Sequence, residues 1–319
     1  MAGNQTRISS AADESAENAL RRRFAGRLAC GVPLAPYTTL KIGGPAQYLL
    51  EADACEQIID ARRLALDLEI PFYFLAGCSN VLIADAGLQG LVVINKTRRI
   101  EWGEDYAAWA AGGCGLDDFV MEASRRGWGD MTFAAGIPGS LGGALAGGAG
   151  AFGHLVCEYL LQADVLRKDG SLAALTTAEL GVDYRDSQAR RRGDIVLQAK
   201  MGPFVPSSPG DLLLETQRIK QERKEKHPGE DLPSAGSFFK NLPPAEPGGR
   251  RIPAGKYLDE AGAKQLRVGD AGVFPKHANI IVNHGRATAA QVNELADAMA
   301  ARVKQRFGVI LEKEVQYLC

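Results

Sequence analysis

Between Gly136 and Gly153 the chain holds eight glycines and no charged side chain. Such a stretch lacks the charge that solvates a linker and the bulk that builds a core, so its backbone is its working surface. Glycine lets another group come within van der Waals range of the main chain, and successive exposed N–H groups form a concavity suited to an anion such as a diphosphate. The spacing Gly139-Ser140-Leu141-Gly142-Gly143 is not Gly-x-Gly-x-x-Gly, and no Gly-Lys-Ser/Thr follows it, so neither the Rossmann nor the Walker phosphate site is available. A close-packed turn between helices, without a ligand, fits the same composition equally well.

A second loop with oxyanion chemistry is Ala76-Gly77-Cys78-Ser79-Asn80, which follows the aromatic run Phe72-Tyr73-Phe74. Its N–H and hydroxyl donors suit a phosphate, and an ordinary turn would have the same composition. Three more segments carry groups able to pair, donate or accept: Tyr184-Arg185-Asp186-Ser187, Ala235-Gly236-Ser237-Phe238-Phe239-Lys240-Asn241, and Leu311-Glu312-Lys313-Glu314-Val315. An arginine clamps a carboxylate through two parallel N–H bonds, and a hydroxyl can give up a proton where its surroundings allow. Taken singly, Arg185 is as readily a strand bridge, Ser237 a turn cap and Glu314 a solvated carboxylate.

The elements that must position these groups follow from periodicity and turn chemistry. Residues 1–24 have no clear apolar period and read as a flexible or loosely helical extension. Gly43-Gly44-Pro45 forces a turn before a strand at Ala46–Leu50. Asp53 and Glu56 are spaced as a capping pair for a helix that buries Ile58, Ala61, Ala65 and Leu68, and Phe72–Leu75 and Leu91–Ile94 are strands. Asp117 is positioned to cap a helix ending at Gly127. Asp169-Gly170 marks a hairpin, and a strand is expected at Ile195–Met201. The proline- and serine-rich stretch 202–210 reads as a domain boundary, followed by a charged helix from about Asp211 to Lys226. Thr288 and Gln291 form a capping box for a helix with Val292, Leu295, Met299 and Val303 inward. The last segment, Val309–Leu318, reads as a strand whose alternation puts Ile310, Glu312, Glu314 and Gln316 on one face.

With 319 residues the chain has room for two or three domains, and a net charge of -1 with a pI near 6.5 gives no electrostatic case for nucleic acid or an anionic membrane. No apolar run has the length of a membrane span, and Asp13, Glu14 and Glu17 interrupt any signal-peptide core, so a cytoplasmic protein is expected. The six cysteines contain no Cys-x-x-Cys and the four histidines have no ligand spacing, so reduced thiols and no metal are expected.

In this order, from about Leu34 to Leu318, the motifs resemble the UDP-N-acetylenolpyruvoylglucosamine reductases (UDP-N-acetylmuramate dehydrogenases) of peptidoglycan precursor synthesis. Thr39-Leu40-Lys41-Ile42-Gly43-Gly44, the Gly-x-Ser-Asn loop, Ala135 to Gly143, Tyr184 to Ser187, Ala235 to Asn241 and Leu311 to Val315 carry the resemblance. It implies an α+β fold: a vanillyl-alcohol-oxidase-type (PCMH-type) FAD-binding domain of two subdomains, 25–88 and 89–205, after an extension at 1–24, and a C-terminal substrate-binding domain, 206–319. It implies non-covalent FAD, NADPH as co-substrate and reduction of UDP-N-acetylglucosamine enolpyruvate, with a monomer expected. The catalytic positions fall on Arg185, Ser237 and Glu314. Cofactor contacts fall on Ile42, Gly43, Gly77, Cys78, Ser79, Asn80, Ala135, Gly136, Ile137, Pro138, Gly139, Ser140, Gly142, Gly143 and Ile195, and substrate contacts on Tyr184, Lys226, Lys240 and Asn241.

Fewer residues than in the family's longer branch separate Arg185 from Ser237, and none of them is a tyrosine, which resembles the shorter branch. Substrate closure must then come from elsewhere. Three positions depart from the family pattern: Cys78 and Gly148 stand where glycine and asparagine are usual, and Gly272 where a glutamine substrate contact is expected. The competing readings are another FAD-dependent oxidase or dehydrogenase of the same fold and a non-catalytic nucleotide-sugar binder.

Overall fold

The computed structural model describes residues 11–229, 231–246 and 248–319. It begins with helix α1 (Ala11–Arg23), where the sequence led us to expect a flexible or loosely helical extension. Ala16 and Leu20 of this helix and Phe24 just after it recur every four residues and are buried, Leu20 and Phe24 against the first sheet. They are too sparse among charged residues to register as an apolar period. The first ten residues of that expected extension lie outside the described residues.

Strands β1 (Leu28–Pro33) and β2 (Pro45–Ala52), helix α2 (Cys55–Asp67), and strands β3 (Phe72–Leu75), β4 (Val81–Ile83) and β5 (Leu88–Asn95) come next. The first sheet has the order β1-β2-β5-β3, with β5 parallel to both of its neighbours. β5 packs Leu91 and Val93 into one core and Val92 and Ile94 into another, so both of its faces are covered and it is buried except at Gln89. The expected division at 88/89 falls at the first residues of β5, which belongs wholly to this sheet. Asp53 does not cap α2: the cap position is Ala54, and the Asp53 carboxylate accepts from Gln57 at 2.8 Å and pairs with Arg27 at 2.9 Å.

The second sheet is antiparallel, with β6 (Ile100–Trp102) and β7 (Ala108–Ala111) preceding helices α3 (Leu116–Arg125) and α4 (Leu141–Ala146). A short hairpin, β8 (Gly150–Ala151) and β9 (His154–Leu155), leads to β10 (Leu160–Leu166) and β11 (Leu172–Leu175), whose turn holds Asp169-Gly170. Then follow α5 (Thr177–Leu180), the hairpin β12 (Val182–Asp183) and β13 (Asp186–Ser187), α6 (Gln188–Arg192) and β14 (Ile195–Met201). The strand order is β11-β10-β14-β7-β6, and its core joins Phe119 and Val120 of α3 to Leu141 and Leu145 of α4. The cap of α3 is Gly115, not Asp117; Asp117 sits within the first turn and accepts from Gly136 N at 2.8 Å and from Lys220 at 2.5 Å.

The C-terminal part opens with α7 (Pro209–Lys226), capped by Ser208. It continues through β15 (Ser234–Ser237), α8 (Ala254–Glu260), β16 (Arg267–Val268), β17 (Ala271–Val273), β18 (Ile280–Asn283), α9 (Ala289–Phe307) and β19 (Gln316–Leu318). Its sheet has the order β15-β18-β17-β16. The Thr288–Gln291 capping box forms, and Val292, Leu295, Met299 and Val303 are fully buried. Only the last three residues of the expected terminal strand are extended as a strand, paired in parallel with β4. The alternation also fails: Glu312 is 72% exposed and the Glu314 side chain 13%. The reason is a change of partner, since residues 312–314 pair with 238–240 before the chain crosses to β4. No helix among the described residues is long and apolar enough to cross a membrane.

Candidate functional site

Two loops meet edge to edge between the first and second sheets. The 76–80 loop joins β3 to β4, and residues 135–143 lead into α4. A Cβ on Gly77 would stand 2.5 Å from Gly139 Cα, and Ser79 Oγ donates to Pro138 O at 3.1 Å. Gly139 has φ +115°, a conformation a side chain would strain. Ser140 caps α4, its Oγ accepting from Gly143 N at 3.1 Å.

The N–H groups divide into two sets. Gly136, Ile137, Leu141 and Gly142 donate to Asp117, Ala134, Cys114 and Gly112. Those of Gly77, Cys78 and Ser79 donate to nothing among the described residues. These N–H groups of the glycine-rich stretch are committed to a close-packed turn, and the free donors belong to the 76–80 loop that meets it at Gly139.

Cys78 has φ +47°, in the left-handed region that costs a non-glycine residue about 1 kcal/mol, and is 7% exposed. Burial pushes its thiol up to about 11, so it stays protonated. Thr39 N donates to Cys78 O at 3.3 Å, which joins the 38–44 segment to this loop. Within that segment Ile42 is buried, its N–H taken by Thr38 Oγ1 at 3.1 Å, and Gly43 fits between Leu34 and Ile83. Ile195 packs instead with Leu50 and Ile58, and the backbone that meets Gly142 is that of Val196.

Asn80 links the first loop to the charged groups: its Nδ2 donates to Glu314 O at 3.3 Å, and its carbonyl accepts from Gln316 N at 3.0 Å. Glu314 N in turn donates to Phe238 O at 2.8 Å, which sets Glu314 beside the end of β15 and Ser237. From the other side comes Arg185, whose Nε lies 3.1 Å from Glu314 Oε1. This is an ion pair without hydrogen-bond alignment, and Nε is buried with no hydrogen-bond partner. Burial pushes the Glu314 carboxyl above the ordinary carboxylate range, against the pull of Arg185, Lys240 and Arg190. Lys240 itself bonds Glu312 at 2.6 Å.

Arg185 and Tyr184 are the two turn residues of the β12–β13 hairpin, and Arg185 has φ +58°. The Tyr184 hydroxyl accepts from Asn241 N at 3.2 Å. Tyr184, Lys240, Asn241, Arg251, Leu311 and Glu312 line a groove of about 350 Å³. The departure at Gly148 is explained here: it has φ +58°, and a Cβ on it would collide with Asp183 O and lie 3.1 Å from Arg185 N. The departure at Gly272 is matched by His284, whose Nε2 would be 2.7 Å from a Cβ there.

Lys226 is not brought to these groups by any observed contact: it is 62% exposed and pairs with Glu222 at 2.5 Å. One turn earlier, Arg223 faces inward. Its Nε is buried without a partner, its Cδ would lie 3.1 Å from a Cβ on Gly136, and burial together with the Arg185 charge lowers its pKa. Sequence reasoning missed it, although Thr216 and Ile219, seven and four residues earlier and buried, mark the same helix face. Arg251 was also missed, and its loop offers no periodicity that would reveal it.

A family model described as the C-terminal domain of UDP-N-acetylenolpyruvoylglucosamine reductase matches residues 227–318, and one described as an FAD binding domain matches residues 46–176. The chain is 37% identical over 298 residues to the UDP-N-acetylenolpyruvoylglucosamine reductase 2 of Symbiobacterium thermophilum, covering 92% of this chain and 93% of that one. It is 38% identical over 288 residues to the reductase of Rubrobacter xylanophilus, covering 89% and 93%. Among solved structures it is similar to the UDP-N-acetylenolpyruvylglucosamine reductase of Thermus caldophilus, with a TM-score of 0.74, 31% identity, and 90% and 98% of the two chains covered.

Proposed function

Because this chain belongs to the UDP-N-acetylenolpyruvoylglucosamine reductase family, with its α+β FAD-binding fold and C-terminal domain, we propose that Arg185, Glu314 and Ser237 carry the chemistry. The enzyme reduces UDP-N-acetylglucosamine enolpyruvate to UDP-N-acetylmuramate with NADPH, in peptidoglycan precursor synthesis. When bound, FAD would supply the hydride-carrying chemistry between NADPH and the vinyl carbon of that ether. The residues present fit the cofactor's diphosphate, since the unused N–H groups of Gly77, Cys78 and Ser79 border a backbone edge without side chains at Gly77 and Gly139. Ser79, Asn80 and the 135–143 segment complete that cradle in this reading, and Ile42 and Gly43 support it from behind.

Arg185 pairs with the carboxylate of the enolpyruvyl group and stabilises the negative charge that grows there, an effect worth about 10²–10³ in rate for one well-placed donor. Glu314 pairs with the guanidinium and assists in stabilising the enol-like intermediate. Ser237 Oγ delivers the proton to the carbon that bears the carboxylate, with the Lys240 charge nearby to favour the alkoxide. Tyr184 and Asn241 contact the nucleotide-sugar from the groove side. Arg223 takes the part that we expected of Lys226, because it is the inward cation of α7. The observation that carries the assignment is the 3.1 Å contact that joins Arg185 of the β12–β13 hairpin to Glu314 of the C-terminal segment. The reading includes a monomer acting in the cytoplasm, consistent with charged, water-soluble co-substrates; light scattering that gave a stable dimer would remove the first part.

The test is the visible spectrum of the purified protein, followed anaerobically as NADPH and then the enolpyruvyl substrate are added. The flavin band is expected to bleach with the first and return with the second. In Ser237→Ala bleaching should persist while the return slows by about 10²-fold or more. Equal loss in both half-reactions would remove Ser237 from the role of proton donor.

A further inference from the structure

The side chain that presents charge to the substrate stands on a backbone that does not favour it. Arg185 is the second residue of a two-residue hairpin turn, at φ +58°, a place usually taken by glycine or asparagine. Left to itself such a turn would relax, and the guanidinium would swing with it. Its own strands cannot hold it, because β12 and β13 are two residues each.

The restraint comes from outside the hairpin. The Arg251 guanidinium lies 3.8 Å from the centroid of the Tyr184 ring, and its Nη1 donates to Asn241 O at 3.1 Å. Asn241 N donates to the Tyr184 hydroxyl at 3.2 Å, so ring and hydroxyl are both held from the same side. Asn241 is itself fixed, its Oδ1 accepting from Ala254 N at 3.2 Å. Arg251 immediately precedes Ile252, which exchanges reciprocal bonds with Leu242 at 2.9 and 3.1 Å. Arg185 also approaches the Tyr184 ring, at 5.7 Å. Neighbouring cations of the groove are otherwise spoken for: Lys240 pairs with Glu312 and Arg191 with Asp186. No carboxylate pairs with Arg251 among the described residues, and its recorded partners are the ring and the Asn241 carbonyl.

We propose that Arg251 is a positioning residue: it clamps Tyr184 from the C-terminal domain and thereby fixes the strained turn that aims Arg185 at the substrate carboxylate. This rests on the role given to Arg185 above. It also supplies closure in a chain without a tyrosine-bearing loop over the substrate. The cation over the ring face is the load on the clamp, and loss of it should be felt as misaimed charge in the reaction and not as weaker capture of the substrate.

The test uses the full-length FAD-bound protein and separates the half-reactions. In Arg251→Ala, flavin reoxidation at saturating enolpyruvyl substrate should slow about tenfold, with half-saturation changed by less than about twofold and reduction by NADPH unaltered. Arg251→Lys should recover much of the rate, since an ammonium can occupy the same ring face. In a Tyr184→Ala background, Arg251→Ala should add nothing. Hydrogen exchange should rise in residues 182–187 of Arg251→Ala and stay level in the second-sheet core. A raised half-saturation with unchanged rate would make Arg251 a substrate contact and overturn the proposal, as would equal slowing in the Tyr184→Ala background or unchanged exchange in the hairpin. If the unsubstituted protein were not reoxidised by the enolpyruvyl compound, the functional reading would fail, whereas the exchange comparison would still decide the clamp.

Discussion

Glu314 illustrates how much a single residue's behaviour depends on what surrounds it. Burial raises its carboxyl above the ordinary range even with Arg185 beside it. The folded protein therefore holds a proton there that the unfolded chain has already released, and stability contributed by this group is full at low pH and is lost as pH rises through the elevated value. Glu314→Gln removes that loss. Its melting temperature relative to the parent should rise between acid and neutral pH, with the difference vanishing below the ordinary carboxylate range, while reoxidation by substrate is severely slowed. A melting difference independent of pH would mean that Glu314 titrates normally. That Glu314 and Ser237 stood in segments able to do chemistry was legible in the sequence. That Glu314 meets Arg185 and is bonded next to Ser237 was not, because the 3.1 Å approach of Arg185 and the bond from Glu314 N to Phe238 O are long-range contacts.

At the scale of elements, the glycine-rich stretch and the β12–β13 hairpin are one construction. Gly148 at φ +58° lets the hairpin backbone approach until Asp183 O, Asp186 O and Arg185 N fill the space of a side chain. Restoring the family's usual asparagine, Gly148→Asn, should cost about 1–3 kcal/mol in denaturant unfolding and also slow substrate turnover, since the displaced hairpin carries Arg185. A variant of undiminished stability would show that the hairpin has room to move. Elements with a strong local signal were readable: α9, with its capping box and apolar face, forms as expected. Elements decided by distant partners were not. The alternation over Val309–Leu318 suggested one long strand, but two different partners divide it, and α1 gains its order from the sheet on which Leu20 rests.

Across the whole molecule, the C-terminal part is fastened to the first sheet's neighbourhood at several points. β19 pairs with β4, Asn283 Nδ2 donates to Leu40 O at 3.1 Å, and Thr39 Oγ1 donates to Ser234 O at 2.7 Å. Asp85, which follows β4, accepts from Ala289 N at 2.8 Å and Ala290 N at 3.1 Å, capping α9 from another part of the chain. An acceptor at a helix N-terminus typically contributes about 1 kcal/mol, so Asp85→Ala should lower unfolding free energy by roughly 0.5–2 kcal/mol. Because the same cap ties two domains, it should also weaken substrate binding, measured by titration of the oxidised enzyme. A stability loss with unchanged substrate affinity would confine Asp85 to local capping.

By itself the sequence determined the chemistry that was possible and much of the local order. Residue types, turn residues, capping pairs and apolar periods act over a few positions, and those interactions are fully written in neighbouring residues. The tertiary structure alone decided which groups meet. It turned Arg223 inward and Lys226 outward on one helix, left the N–H groups of Gly77, Cys78 and Ser79 free while committing those of Leu141 and Gly142, and brought Arg251 onto Tyr184. Each of these outcomes depends on long-range packing and on the desolvation it imposes, quantities that no stretch of neighbouring residues contains.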